Sequence, residues 1–164
     1  MTGRGPRNKM QFSKPYRRVR KVFLHCSASD NPRLKGSVLV DEITLWHRKN
    51  GWRTIGYHFV IDKEGRVMRG RDIELTPAAQ AGHNEGSIAI CVHGLAKSKF
   101  TDAALAAVLE LCHQINDAYG GKVTFHGHRE VAKKECPVFD YKALLNLTDD
   151  GHIAPVADRK EISK

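Results

Sequence analysis

"GSIAICVHG", Gly86–Gly94, decides the fold. Between its glycines the chain is apolar at successive positions, where a half-exposed strand would alternate, so both faces of this strand belong in the interior. A strand of that kind sits at the centre of a sheet with helices on either side. Working outward, "VFLHCS" (Val22–Ser27) is a second apolar run that turns polar at its end, and "KVTFHGH" (Lys122–His128) is a third. "TIGYHFVID" and "RVMRGRD" flank the short polar link "KEG", which predicts a hairpin. Ser37 is the expected N-cap of a helix over "VLVDEITLWHRKN", with Val38, Ile43, Leu45 and Trp46 recurring at helical spacing and Gly51 as its stop. Thr101 caps "DAALAAVLELCHQINDAYGG", the clearest helix, and "YKALLNL" makes a short final one. Strands and helices mixed without strict alternation predict an α/β fold of the α+β mixed kind, a central mixed β-sheet flanked by helices.

The chain of 164 residues fits one domain large enough to bury a core without covalent staples. No apolar stretch reaches the roughly 18 residues a membrane span needs. Arg17 and Arg18 precede an apolar run too short and too charged for a twin-arginine export signal. Cys26, Cys91, Cys112 and Cys136 lack the spacing of a disulfide framework, which reads as a chain made in a reducing cytoplasm. Net charge is +9, and Arg4, Arg7, Lys9, Lys14, Arg17, Arg18, Arg20 and Lys21 carry nearly all of it, with no acid before residue 22. The expected organisation is a flexible basic arm over 1–18, a catalytic domain over 19–148 and a flexible tail over 149–164.

"GHREVAKKECPVFD", residues 127–140, raises the chemistry. Charge alone does not call for His128 and Cys136, and a disulfide does not call for the histidine. A catalytic zinc takes three protein ligands and leaves a fourth position for water, so a third donor is needed. His25, at the end of a predicted central strand, is the candidate. Cys26 points to the opposite face if the strand continues. His126 rivals His128, because residues two apart on a strand share a face.

These blocks resemble the zinc N-acetylmuramoyl-L-alanine amidases that include the phage lysozymes and the peptidoglycan recognition proteins. The likeness runs in order from about Val22 to Leu147 through "VFLHCSAS", "WHRKNGWRTIGYHFVIDKEGRVMRGRD", "GHNEGSIAICVHG" and "GHREVAKKECPVFD". It implies that His25, His128 and Cys136 bind Zn2+, with His128 preferred over His126 because the family's histidine directly precedes "RE". Tyr57 matches the family's active-site tyrosine and Lys134 its active-site lysine. Asn84 matches an asparagine expected to line the substrate groove. Gln80 stands where many relatives have a histidine, and Lys133 where some have proline. The implied reaction is hydrolysis of the amide between N-acetylmuramic acid and L-alanine.

The chemistry asks for these residue types independently. A zinc ion lowers the pKa of bound water to about 7, which supplies a nucleophile for an unactivated amide. Lys134 fits the stabilisation of a developing oxyanion, and Tyr57 the orientation of the water or the relay of its proton. His47, His58, Trp46 and Trp52 read as packing residues, His83, His93, His113 and His152 as structural or solvent-facing, and Glu130 as an exposed loop acid, with a partner that orients a metal ligand as the alternative.

The leading reading is therefore a monomeric phage endolysin, made in the host cytoplasm and reaching periplasmic peptidoglycan at lysis. A non-catalytic peptidoglycan-binding module is the alternative from another class, and the presence of Cys136, Tyr57 and Lys134 argues against it. A bacterial wall-recycling amidase is the third reading. The basic arm, with Phe12 and Tyr16 among its charges, suits the outer membrane or another polyanion, and the resemblance to phage lysozyme adds a phage RNA polymerase as a partner. Deletion of 1–18 is expected to spare hydrolysis of isolated murein.

Overall fold

The computed structural model describes residues 10–155. The Gly86–Gly94 run forms β4 (Ser87–Val92), buried along its whole length. Around it lie β1 (Lys21–Cys26), β2 (Phe59–Ile61), β3 (Val67–Arg69) and β5 (Thr124–Gly127). The sheet order is β3-β2-β4-β1-β5, with β4 at the centre. β4 runs parallel to both β1 and β2, β1 runs parallel to β5, and only the β2–β3 hairpin is antiparallel. The sheet is thus mixed, with helices on both faces, as the runs of buried residues predict.

Strand alternation sorts the side chains into two cores. Val22, Leu24 and Cys26 of β1 and Ile88, Ile90 and Val92 of β4 pack with Val108, Leu111, Cys112 and Ile115 of helix α2 (Asp102–Ala118). Val60 and Cys91 meet Leu39 and Ile43 of helix α1 (Ser37–Lys49) on the opposite face. Each aliphatic side chain so buried stabilises the fold by roughly 1.5–3 kcal/mol over its exposed state. Because Val22, Leu24 and Cys26 face α2, Phe23 and His25 leave β1 toward the α1 side. His25 is the residue beside Cys91 in the β1–β4 register.

Local signals hold at some helix ends and give way at others. Thr101 caps α2 as expected, its hydroxyl accepting the Ala104 N–H at 3.0 Å. α1, however, is preceded by Gly36 at φ 58, and Ser37 is its first helical residue with no side-chain cap. The Gly36 N–H goes instead to the Asp62 carboxylate at 2.9 Å, so a contact distant in sequence replaces the local cap. The buried stripe of α1 is Leu39, Ile43 and His47, and Val38 and Leu45 point to solvent. The short third helix, α3 (Tyr141–Leu145), is capped by Asp140.

Within the described residues, both terminal segments make contacts with the domain. Arg4, Arg7 and Lys9 lie outside the described residues, but from Met10 onward the arm is docked. The Phe12 ring lies against Phe59 and Tyr119, and its N–H donates to Gln114 at 2.8 Å. Pro15 is buried, and Lys14 sits over the Tyr119 ring. Deleting residues 1–18 would remove the Phe12 contacts with Phe59 and Tyr119. At the other end, residues 149–155 fold back along the free edge of β5. The Phe125 N–H donates to the Gly151 carbonyl at 2.8 Å, Leu147 bridges to Ile153, and Ile153 and Ala154 are buried. Covering an otherwise unpaired edge strand gives the segment its order. Residues 156–164 lie outside the described residues.

His58 ties the arm, the hairpin and the sheet together. Its Nδ1 accepts the Ala89 N–H at 3.1 Å, its Nε2–H donates to the Leu75 carbonyl at 2.8 Å, and the Arg17 guanidinium lies alongside. Burial first, and the Arg17 charge after it, pushes this imidazole down to about 4. The unfolded chain binds its proton near the ordinary 6.5, so between those values unfolding takes up a proton and stability falls as the pH drops. This one group should contribute a slope of about 1.2 kcal/mol per pH unit near pH 5.5. Chemical denaturation of wild type and His58→Gln across pH 5–6 should show the variant's slope shallower by about 1.2 kcal/mol per pH unit. Equal slopes would contradict the assignment.

Candidate metal centre

His25, His128 and Cys136 converge at the carboxyl end of β1. One donor atom from each lies within 4.8 Å of the other two, and the imidazole centroids of His25 and His128 are 4.6 Å apart. His25 is fully buried. Burial above all, and then the neighbouring His128 and Lys134 charge, holds it down to about 3, so it is a neutral imidazole at any physiological pH. Burial and Lys134 lower His128 in the same direction. Two neutral imidazoles side by side are good ligands and poor places for protons.

The third donor is held by backbone. The Cys26 N–H donates to the Cys136 sulfur at 3.0 Å, and the Arg129 N–H donates to the Cys136 carbonyl at 2.7 Å. The Cys136 thiol is pushed up by its hydrogen bond with the Cys26 side chain and by burial. Metal binding must therefore expel a proton from this sulfur, while the Cys26 N–H favours the thiolate that results. A pair of neutral imidazoles and one thiolate matches the donor chemistry of zinc.

His126 has other work. Its Nδ1 pairs with Glu130 at 2.8 Å, its Nε2 accepts from the Thr124 hydroxyl at 2.7 Å, and its ring packs on Phe23. With both nitrogens engaged it has none to offer the metal group. Glu130 is exposed, as expected of a loop acid, and it also anchors the His128 turn, which is the alternative partner role. It accepts the Gly127 N–H at 3.0 Å, the His126 ring N–H and the Tyr141 hydroxyl. Burial alone would raise its carboxyl, and these three donors more than offset that and hold it below its usual range. Gly127 leaves room for Tyr141, since a Cβ there would sit 2.5 Å from the ring.

Tyr57 lies over His25 with ring centroids 5.1 Å apart and against His47 at 5.2 Å. Burial, followed by the neighbouring Cys91, raises its phenol well above the usual range, so Tyr57 is a proton donor and not a base at neutral pH. Lys134 is exposed on the loop, near enough for its charge to lower both His25 and His128. Asn84 is half-buried, and its Oδ1 accepts the backbone N–H groups of Ala79 and Gln80 at 3.0 and 2.9 Å.

Comparison with known proteins agrees with this chemistry. Residues 15–139 match the Amidase_2 family, described as N-acetylmuramoyl-L-alanine amidase, and the chain belongs to that family. It is 36% identical over 140 residues to the endolysin of Klebsiella phage KP32, covering 82% of this chain and 89% of that one. Among solved structures, the N-acetylmuramoyl-L-alanine amidase LysC from Clostridium intestinale superposes with a TM-score of 0.69 at 25% identity, over 80% of this chain and 88% of that one. The Drosophila peptidoglycan recognition protein SD shares the fold, with a TM-score of 0.70 at 20% identity, over 88% and 89% of the two chains. The protein is accordingly an N-acetylmuramoyl-L-alanine amidase acting on peptidoglycan.

The sequence leaves Glu130 between a loop acid and a partner to a ligand, because nothing local shows that Tyr141 and His126 turn toward it. Replacing it by alanine leaves the buried Gly127 N–H and the His126 ring N–H without their acceptor, which should cost about 1–3 kcal/mol of stability. Denaturant titration of Glu130→Ala should show that loss together with a fall in murein hydrolysis. A variant as stable and as active as wild type would remove Glu130 from this role.

Proposed function

We propose that this amidase is a zinc enzyme of the phage endolysin kind, with the ion held by His25, His128 and Cys136. The observation that carries the reading is the convergence of these three donors, drawn from β1 and from two points on the loop that follows β5. When bound there, zinc supplies an acidified water and a Lewis-acid contact for the amide carbonyl. The chain's own residues do the rest. Burial keeps His25 and His128 neutral, so neither competes with the ion by taking a proton. The Cys26 N–H holds the Cys136 sulfur in place. Tyr57, kept protonated, donates a hydrogen bond toward the reacting groups, and the Lys134 ammonium offsets negative charge that develops on the carbonyl oxygen.

Similarity to the KP32 phage endolysin over nearly its full length supports a role in releasing phage by lysis, with synthesis in the host cytoplasm. Among the described residues no helix is long and apolar enough to cross a membrane. Arg18 on the docked arm and Arg20 just beyond it are exposed, which suits contact with an anionic envelope surface.

Metal analysis of the purified chain should give one zinc per molecule, and mass spectrometry of a murein digest should show free stem peptides beginning with L-alanine. Lys134→Ala should keep the zinc and lose about 100- to 1,000-fold in kcat. Full turnover after the zinc is stripped by a chelator, or glycan fragments in place of free peptides, would overturn the proposal.

A further inference from the structure

We infer that Gln80 is the positioning residue for His25: its side-chain oxygen holds the proton on Nε2 and leaves Nδ1 as the nitrogen that binds the ion. The inference rests on the proposal that a metal occupies the His25, His128 and Cys136 group. Gln80 is completely buried, and its Oε1 lies 2.8 Å from His25 Nε2. The amide cannot be turned the other way. Its nitrogen faces the His83 carbonyl at 3.4 Å and the Ser87 hydroxyl at 2.7 Å, and a carbonyl only accepts. The Ser87 hydroxyl is committed in turn, donating to the Asn84 carbonyl at 2.8 Å, so it accepts from Gln80. With both amide hydrogens used, the oxygen must accept from His25, which fixes the imidazole as the Nε2–H tautomer.

The loop that presents Gln80 is itself held. Asn84 Oδ1 accepts the N–H groups of Ala79 and Gln80, and the Ser87 N–H returns to the Asn84 carbonyl at 3.2 Å. Asn84 therefore acts on the metal group through the backbone of this loop and the side chain of Gln80. A ligating histidine whose second nitrogen is bound to a neutral or anionic oxygen is oriented in advance and is more basic, and losing that partner typically costs about 10- to 100-fold in metal affinity. Gln80 has no exposure through which to touch a substrate, so its effect reaches the reaction only through His25.

The test uses the full chain loaded with zinc and a chelator competition that reads the dissociation constant. Gln80→Leu, which removes both the acceptor and the donors, should weaken zinc about 10- to 100-fold. Gln80→Glu keeps an acceptor for the Nε2 proton and should restore most of the affinity, which a merely space-filling role would not predict. Long-range 1H–15N correlation of the zinc-loaded wild type should find the His25 proton on Nε2 and the metal on Nδ1. This measurement stands even where Gln80→Leu fails to fold. Zinc on Nε2, or equal affinity in Gln80→Leu and wild type, overturns the inference. A wild type that binds no zinc would instead overturn the metal proposal beneath it.

Discussion

The Cys26 N–H reaches the sulfur of Cys136 across 110 residues of chain, and the site depends on that closure. It joins the carboxyl end of β1 to the loop after β5, and it does so where the last residue of the strand still belongs to the sheet. The parallel pairing of β1 with β5 delivers the two segments side by side. The turn at His128, drawn in by Glu130, then folds the loop back over His25. Without the parallel pair, the histidine on the strand and the cysteine on the loop would have no reason to meet. The backbone donor fixes the sulfur, while the Arg129 N–H fixes the Cys136 backbone behind it.

Electrostatics at the site follow from position in the sheet. His25 leaves β1 on the face it shares with Cys91, away from the α2 core, and burial keeps it from holding a second proton. Tyr57 is kept as a phenol by the same lack of solvent. Lys134, exposed on the loop, lies near enough to act electrostatically on His25 and His128. The arrangement places buried, neutral groups beside an exposed lysine, the pairing that a reaction developing charge on a bound substrate calls for.

Much of this was readable in the residues. The central β4, the β2–β3 hairpin and the Thr101 cap each rest on a pattern within one short window, where hydrophobic periodicity and turn chemistry act locally. His25, His128 and Cys136 were picked out by ligand type and by resemblance. What was hidden depends on partners distant in sequence. Gly36 starts α1 because Asp62 takes its N–H, and Phe12 is ordered because Phe59 and Tyr119 wait for it. Residues 149–155 are ordered by the bare edge of β5. Glu130 is as exposed as its sequence suggests, and its bonds to Tyr141 and His126 come from the fold; spacing alone could not separate His126 from His128, since the difference lies in which of them Glu130 occupies.

X-ray absorption at the zinc edge on the loaded protein tests the central claim most directly. The account predicts one sulfur at about 2.3 Å and two imidazole nitrogens at about 2.0–2.1 Å, with a light scatterer completing the shell. A shell without sulfur, or one with two sulfurs that brings in Cys26, would contradict it.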